Sequence, residues 1–267
     1  MSPPLYKLLI KMTQKTIKYQ LISASGNPTA IIYGRYPPSI QSKIIQKIFS
    51  TNKLVEQIGF IYKQNRFYKF QMMGNEFSGN GCRAAGFSLL KLKPGTVKFK
   101  TSGTNKIIKT QVDSKNNTTT TIPYETPKKN IKNKQFSIRI FGSRIVVIEN
   151  KPDNKTTQKI FKTYSPSCNA IGVMFLQENK SGYKLTPYFY VKKTKTLVKE
   201  TACGSGSAAC AIYLSSKFKQ ENNQFQILQP SNQNINVETK KSKNKIKIIN
   251  ISGPTKLLKK YNVKIQL

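Results

Sequence analysis

The chain has 267 residues, a net charge of +36 from 46 Lys and Arg against 10 Asp and Glu, and no histidine. The absence of histidine excludes a Ser-His-Asp triad, an imidazole general base and a zinc site of the usual Cys/His kind. Acid–base chemistry must therefore come from Cys, Lys, Tyr or the few carboxylates.

The positive charge is spread along the whole chain and forms no basic tail or stripe. Arginine occurs at only five positions, although planar, bidentate recognition of phosphates and bases favours arginine over lysine. Nucleic-acid binding is therefore the weaker interpretation of this charge. The hydrophobic fraction of 37% is enough for a packed core, and no run is apolar enough to span a membrane. These features predict a soluble cytoplasmic protein with no membrane partner.

Two similar series of elements follow one another along the chain. Apolar patterns predict strands at residues 58–62 and 67–73, a helix at 84–91, and strand-and-turn patterns at 96–112. The same order recurs with strands at 171–175 and 188–191, a helix at 208–218, and strand-and-turn patterns at 225–239. The polar stretch 113–134 lacks an apolar period and is the expected joint. We predict an α/β (α+β) protein with two halves, residues 1–125 and 126–267.

Each half carries one glycine-rich motif of the form [S/C]-G-x-G-x-x-A before its helix. The copies read SGNGCRAA from Ser78 and CGSGSAAC from Cys203. A G-x-G turn that opens a helix presents free backbone N–H groups and the positive end of the helix dipole, which favours an anion. Two such turns facing each other could hold one carboxylate from both sides. Ser78 and Cys203 would lie beside it, where a thiol ionises more readily.

Other interpretations of these glycines fit less well. A phosphate-binding Walker A loop needs Gly-Lys at its end, but Asn80 follows Gly79. A dinucleotide fingerprint needs an acidic residue about 20 positions downstream, and the next one here is Asp113. Glycines that merely allow a tight strand-to-helix turn remain an alternative for either copy.

Acidic residues are scarce, so those near the motifs are informative. Glu76 lies two residues before Ser78, and Glu200 lies three residues before Cys203. In such a basic chain, a carboxylate beside the site can pair with a substrate ammonium group. A solvated glutamate on a loop is the alternative for each of them.

The paired motifs resemble those of the diaminopimelate epimerase superfamily, C-G-N-G-x-R and A-C-G-[ST]-G. Within that superfamily the chain is most similar to the histidine racemases of opine-metallophore biosynthesis. The stretches that carry this similarity are SGNPT at 25–29, EQIGF at 56–60, GNEFSGN at 74–80, IGVM at 171–174 and ETACGSG at 200–206. The resemblance implies two pseudo-symmetric domains, each a curved mixed sheet around a central helix. It also implies that residues 1–11 are an extension and that the last strand can return to the first half.

The resemblance further implies a cofactor-independent racemase that inverts the α-carbon by two-base proton transfer, with histidine favoured as substrate. In the family two thiols flank the α-carbon. Here Cys203 is one base, whereas Ser78 replaces the other thiol and is a far weaker base. The resemblance also implies the residues that bind the substrate. Those around its carboxylate are Gly79, Asn80, Gly204, Ser205 and Gly206, and those around the rest of the substrate are Asn27, Gln57, Asn169 and Glu200. No metal or cofactor is implied, and a homodimer is plausible.

Three alternatives stay open at this point. Diaminopimelate epimerase activity is one, although the Glu-Arg pair of those enzymes is absent and Thr194 and Lys195 occupy that region. An amino-acid-binding protein or inactive homologue is the second, because Ser78 removes one base. A basic nucleic-acid-binding protein is the third.

Overall fold

The structure is a computed structural model that describes residues 14–123, 130–132, 135–140, 143–168, 170–180, 182–192, 195–243 and 245–266. The extension expected at residues 1–11, the boundary predicted between 125 and 126, Asn169 and Thr194 lie outside these residues. Within the described ranges, no helix is both long and apolar enough to cross a membrane.

The first half contains seven strands and two helices. They are β1 (Gln14–Ala24), β2 (Asn27–Tyr33), α1 (Pro38–Thr51), β3 (Gln57–Gln64), β4 (Phe67–Met72), α2 (Gly79–Leu89), β5 (Gly95–Thr101), β6 (Ile107–Val112) and β7 (Asn117–Ile122). The strands β1 to β7 follow one another in the sheet in chain order.

The second half continues the same sheet. Its elements are β8 (Asn130–Lys132), β9 (Gln135–Ile140), β10 (Ser143–Ile148), α3 (Asn154–Tyr164), β11 (Ala170–Asn179), β12 (Gly182–Val191), β13 (Thr196–Lys199), α4 (Gly204–Ser215), β14 (Asn222–Leu228), β15 (Asn234–Ser242) and β16 (Lys245–Gln266). A short 3-10 turn, Ser165–Ser167, follows α3.

The pairing directions of the strands repeat between the halves. In the first half β1–β2 is antiparallel, β2–β3 parallel, β3–β4 antiparallel and β4–β5 parallel. In the second half β9–β10 is antiparallel, β10–β11 parallel, β11–β12 antiparallel and β12–β14 parallel. Two antiparallel pairs complete each series. The predicted fold class, α+β with two pseudo-symmetric halves, is confirmed.

Helices α2 and α4 are the central helices of the two halves. Helix α2 contacts all of β1 to β7 and β16, and α4 contacts β10, β11, β14, β15 and β16. Every residue of α4 is buried, and so are all residues of α2 except the last. In contrast, α1 and α3 bury only one face. The sheet thus wraps around two helices whose N-termini carry the glycine motifs.

Strand β16 joins the two halves of the sheet. It spans 22 residues and pairs successively with β15, β7 and β1. Strand pairing in the first half therefore runs from β1 to β7, on to β16 and back to β1. This closed ring surrounds α2 and brings the β16 residue Ile251 beneath the two helix N-termini.

The structure differs from the sequence-based expectations in two local details. The helices begin at Gly79 and Gly204, earlier than the apolar pattern predicted, because their first turns consist of small residues. Part of the polar stretch 113–134 forms strand β7, in which buried and half-buried side chains alternate. Threonine is β-branched and suits a strand, and the buried hydroxyls of Thr110 and Thr120 lie 2.8 Å apart. Alternating buried threonines do not produce the apolar alternation from which a strand is predicted.

Candidate active site

The N-termini of α2 and α4 have matching cap geometry. Ser78 and Cys203 are the N-cap residues, with φ and ψ of −129° and 119° for Ser78 and −128° and 105° for Cys203. The backbone N–H of Gly81 donates to Ser78 Oγ at 2.9 Å, and that of Gly206 donates to Cys203 Sγ at 3.2 Å. Each side chain is thus fixed at the positive end of a central helix.

The two helix N-termini are in direct contact, and glycine is needed for this approach. The Gly79 N–H donates to Ser205 Oγ at 3.2 Å. A Cβ atom on Gly79 would lie 2.7 Å from Ile251 Cδ1, and one on Gly204 would lie 2.8 Å from Asn80 Oδ1 and 2.9 Å from its backbone nitrogen. The glycines therefore place the two first turns side by side.

A small cavity opens where the two helix N-termini meet. The described residues that line it are Glu56, Gln57, Met73, Glu76, Phe77, Ser78, Phe189, Val191, Val198, Glu200, Cys203, Gly204 and Ser205. Six predicted site residues belong to this set: Gln57, Ser78, Glu200, Cys203, Gly204 and Ser205. The other described ones, Asn27, Gly79, Asn80 and Gly206, are not among the lining residues.

Three of the ten acidic residues of the chain line this cavity, and no lysine or arginine is among its described lining residues. Glu76 and Glu200 are only 8% and 4% exposed, so neither is a solvated loop residue. The Glu56 carboxylate accepts hydrogen bonds from the Thr201 N–H on both oxygens, at 3.2 and 3.1 Å, and from Asn27 Nδ2 at 2.8 Å. Burial raises the pKa of Glu56. The cavity is an acidic site inside a basic protein.

Gln57 connects the Ser78 side of the cavity to Glu200. Ser78 Oγ donates to Gln57 Oε1 at 2.8 Å, and Gln57 Nε2 donates to Glu200 Oε1 at 2.9 Å. Burial, followed by the charge of Glu56, raises the pKa of Glu200 to about 7, although hydrogen bonds to this carboxylate oppose the shift. Glu200 can therefore change its protonation state near neutral pH.

The surroundings of the Cys203 thiol favour its protonated form. Burial raises its pKa well above the ordinary value, and the adjacent Glu200 carboxylate raises it further. The Gly206 N–H lowers the pKa, but by less than burial raises it. Desolvation therefore opposes the effect of the helix N-terminus, which by itself favours the thiolate.

The other three cysteines are also buried and free. Cys82 Sγ lies 3.8 Å from Thr101 Oγ1, and burial raises the pKa of Cys82 to about 12. Cys82 lies deeper in α2 than Ser78 and does not line the cavity. It cannot replace the missing thiol. Within the described residues, no group of three or more Cys, Asp or Glu side chains could hold a metal ion.

Sequence reasoning missed Arg83, which is fully buried in α2. Its guanidinium donates to Asn80 Oδ1 at 3.1 Å, to Ser25 Oγ at 3.0 Å and to the Thr118 carbonyl at 3.0 Å. Asn80 Nδ2 in turn donates to the Ala202 carbonyl at 3.1 Å. Arg83 thus orients the amide that links the α2 motif to the residue before Cys203. Burial lowers the pKa of Arg83 to about 9.

The fold is similar to that of a phenazine biosynthesis protein of the PhzF family from Bacillus anthracis. The structural match covers 93% of this chain and 99% of that protein, with a TM-score of 0.69 and 15% sequence identity. Two histidine racemases are similar to this chain in sequence. The one from Fusobacterium nucleatum is 30% identical, and the match covers 72% of this chain and 78% of that protein. The one from Staphylococcus aureus is 24% identical, and the match covers 82% of this chain and 87% of that protein.

Fold, site and relatives together define an isomerase, an amino-acid racemase or epimerase. The family model described as the histidine racemase CntK N-terminal domain matches residues 16–260, and the chain belongs to this family. The resemblance read from the paired glycine motifs is thereby confirmed.

Proposed function

We propose that the chain racemises a cationic amino acid, with histidine favoured, by proton transfer on the two faces of the α-carbon. The observation that supports this most is the meeting of two helix N-termini at one cavity, with Cys203 capping one helix and Ser78 the other. An α-carbon held between them would be reached from both sides. No cofactor or metal is needed for such a transfer.

The glycine turns are the proposed binding site for the substrate carboxylate. The first-turn N–H groups of two helices point towards the place where the helices meet, and both helix dipoles favour a negative charge there. Asn80, Gly204 and Ser205 would contribute these groups, while Gly79 and Gly206 already donate to Ser205 Oγ and Cys203 Sγ. Two helices acting on one carboxylate would hold the α-carbon in a fixed orientation.

The acidic wall supports a substrate with more than one cationic or hydrogen-bond-donating group. Glu56, Glu76 and Glu200 line the cavity together with Phe77 and Phe189. An ammonium group and an imidazole ring match this combination of carboxylates and aromatic walls. The distal carboxylate of diaminopimelate would lie among carboxylates, with no lysine or arginine among the described lining residues to balance it. This argues for histidine over diaminopimelate, as do the names of the two relatives.

Ser78 is the observation that favours a second candidate, an amino-acid-binding protein or inactive homologue. Its hydroxyl proton is donated to Gln57, and its oxygen already accepts from the Gly81 N–H. A hydroxyl in this position is a much weaker base than a thiolate. Without another base on this face, the site would bind an amino acid and not invert it.

Exchange of the α-proton in D2O, followed by NMR, separates these candidates. Histidine, diaminopimelate and proline are offered to the wild-type chain and to Ser78→Cys. We expect exchange of histidine by the wild type and faster exchange by Ser78→Cys, because a thiol replaces the hydroxyl. Binding of histidine with no exchange by either form would instead identify a binding protein.

A further inference from the structure

The proposed racemase lacks an evident base on one face of its site. Burial raises the pKa of the Cys203 thiol, which favours the protonated form that can donate a proton. On the opposite face Ser78 directs its hydroxyl proton to Gln57. A donor without a base on the other face cannot invert an α-carbon, so another side chain must accept the substrate proton.

The three cavity carboxylates differ in their positions. Both oxygens of Glu56 accept hydrogen bonds from Thr201 and Asn27, which hold it against the wall. Glu200 interacts directly with the Cys203 thiol and therefore lies on the donor side. Glu76 belongs to the segment that connects β4 to Ser78. Only Glu76 comes from the same segment as the hydroxyl.

The segment before Ser78 is built to direct the Glu76 side chain into the cavity. Asn75 adopts a φ of 62°, and its N–H donates to the Met72 carbonyl at 2.9 Å, which makes a tight turn. Ser102 Oγ donates to the Glu76 carbonyl at 2.7 Å and fixes the backbone.

Gly74 leaves the space that this carboxylate occupies. A Cβ atom on Gly74 would lie 2.4 Å from Glu76 Oε2 and 2.4 Å from Cγ1 of Val191, a cavity residue. The Glu76 carboxylate therefore lies over Gly74 and against the cavity wall, only 8% of the residue being exposed.

We propose that Glu76 is the second acid–base group of this site and does the work that a thiol at position 78 would do. This inference rests on the proposed racemase function. The Glu76 carboxylate takes the α-proton, so that the Cα–H bond breaks and an O–H bond forms. The Cys203 thiol then donates its proton to the opposite face of the carbanion and becomes a thiolate. In the reverse direction the thiolate takes the α-proton and the Glu76 carboxyl group donates one. Ser78 caps α2 and holds Gln57.

The test measures kcat and KM for histidine racemisation by Glu76→Gln, by Glu76→Gln combined with Ser78→Cys, and by the control Glu178→Gln. Glu178 is exposed on β11, so the control removes the same charge far from the cavity. We expect Glu76→Gln to lower kcat by about 100-fold or more, with KM changed by less than about threefold. Adding Ser78→Cys to Glu76→Gln should raise kcat at least about tenfold, because it supplies a thiol on the same face. Glu178→Gln should match the wild type.

Two results would overturn the assignment. A raised KM with unchanged kcat would make Glu76 a ligand of the substrate ammonium group, and a loss in kcat that Ser78→Cys fails to restore would make its role structural. Failure of this inference is distinguishable from failure of the proposed function. If the wild type racemises histidine and Glu76→Gln is equally fast, only the inference fails. If the wild type exchanges no α-proton of any amino acid, the proposed function itself fails.

Discussion

The N-terminus of α2 and the N-terminus of α4 share one backbone and differ in chemistry. Ser78 and Cys203 have nearly the same φ and ψ, and each accepts a hydrogen bond from the N–H three residues ahead. Ser78 is bonded to the neutral amide of Gln57, whereas Cys203 lies beside the Glu200 carboxylate. The repeated structure therefore preserves the positions of two reactive groups and leaves their acid–base properties to the neighbouring side chains.

The difference also shows which forces set those properties. Both caps lie at the positive end of a buried helix, which favours an anion in each case. At Cys203, burial and the Glu200 charge outweigh that effect and raise the thiol pKa. A helix N-terminus in a closed, acidic cavity thus orients a thiol without ionising it.

The largest expected effect is that of Cys203→Ala, which removes the reactive atom of the α4 side. We expect α-proton exchange to fall by about 1,000-fold or more, because the substitution removes the thiol proposed to transfer the proton on that face. The NMR exchange assay measures this directly. Cys168→Ala is the matched control, since Cys168 is a buried thiol outside the cavity. Exchange that survives in Cys203→Ala would contradict the assignment of this residue.

A smaller effect is expected from Gly204→Ala, which should push the N-termini of α2 and α4 apart. The new Cβ would lie 2.9 Å from the backbone nitrogen of Asn80, so one helix must shift. We expect kcat to fall by roughly tenfold to 100-fold and the free energy of unfolding to fall by about 1–3 kcal/mol. Kinetics and urea unfolding measure the two quantities. Wild-type values for both would show that the helices do not meet as described.

The smallest expected effect concerns Glu200 and pH. Its pKa rises from 4.5 to about 7 on folding, so its contribution to stability is fully present below pH 4.5 and is lost as the pH rises through 7. We expect the wild type to lose roughly 2 kcal/mol more unfolding free energy than Glu200→Gln between pH 5 and pH 8. Urea unfolding of both proteins at the two pH values measures this. Parallel losses would place Glu200 in contact with water.

The repeated order of strands, motif and helix could be predicted because apolar runs and glycines mark it directly in the sequence. Strand β7 could not, since its buried positions Thr118 and Thr120 are polar, and Thr120 is paired with Thr110 of the neighbouring strand β6. Helix starts were misplaced for a similar reason: the glycines of the first turns pack against the other half of the molecule. Contacts between distant segments decide these features.

Some features of the site could likewise be predicted from the sequence, and others could not. Ser78, Cys203 and Glu200 were found because they stand beside the motifs, and the structure brings all three to one cavity. Asn27 was expected in the wall and instead holds Glu56 from behind. The protonated state of Cys203 follows from burial and from a neighbour's charge, which motif spacing does not encode.

The most direct test of the central claim is the enantiomeric composition of histidine over time in the presence of the purified chain. Starting from pure L-histidine or pure D-histidine, we expect chiral chromatography to show the same equal mixture at the end, because the two helix N-termini give access to both faces of one α-carbon. If both enantiomers stay pure while calorimetry shows that histidine binds, the paired N-termini form a binding site and the racemase account of this cavity is contradicted.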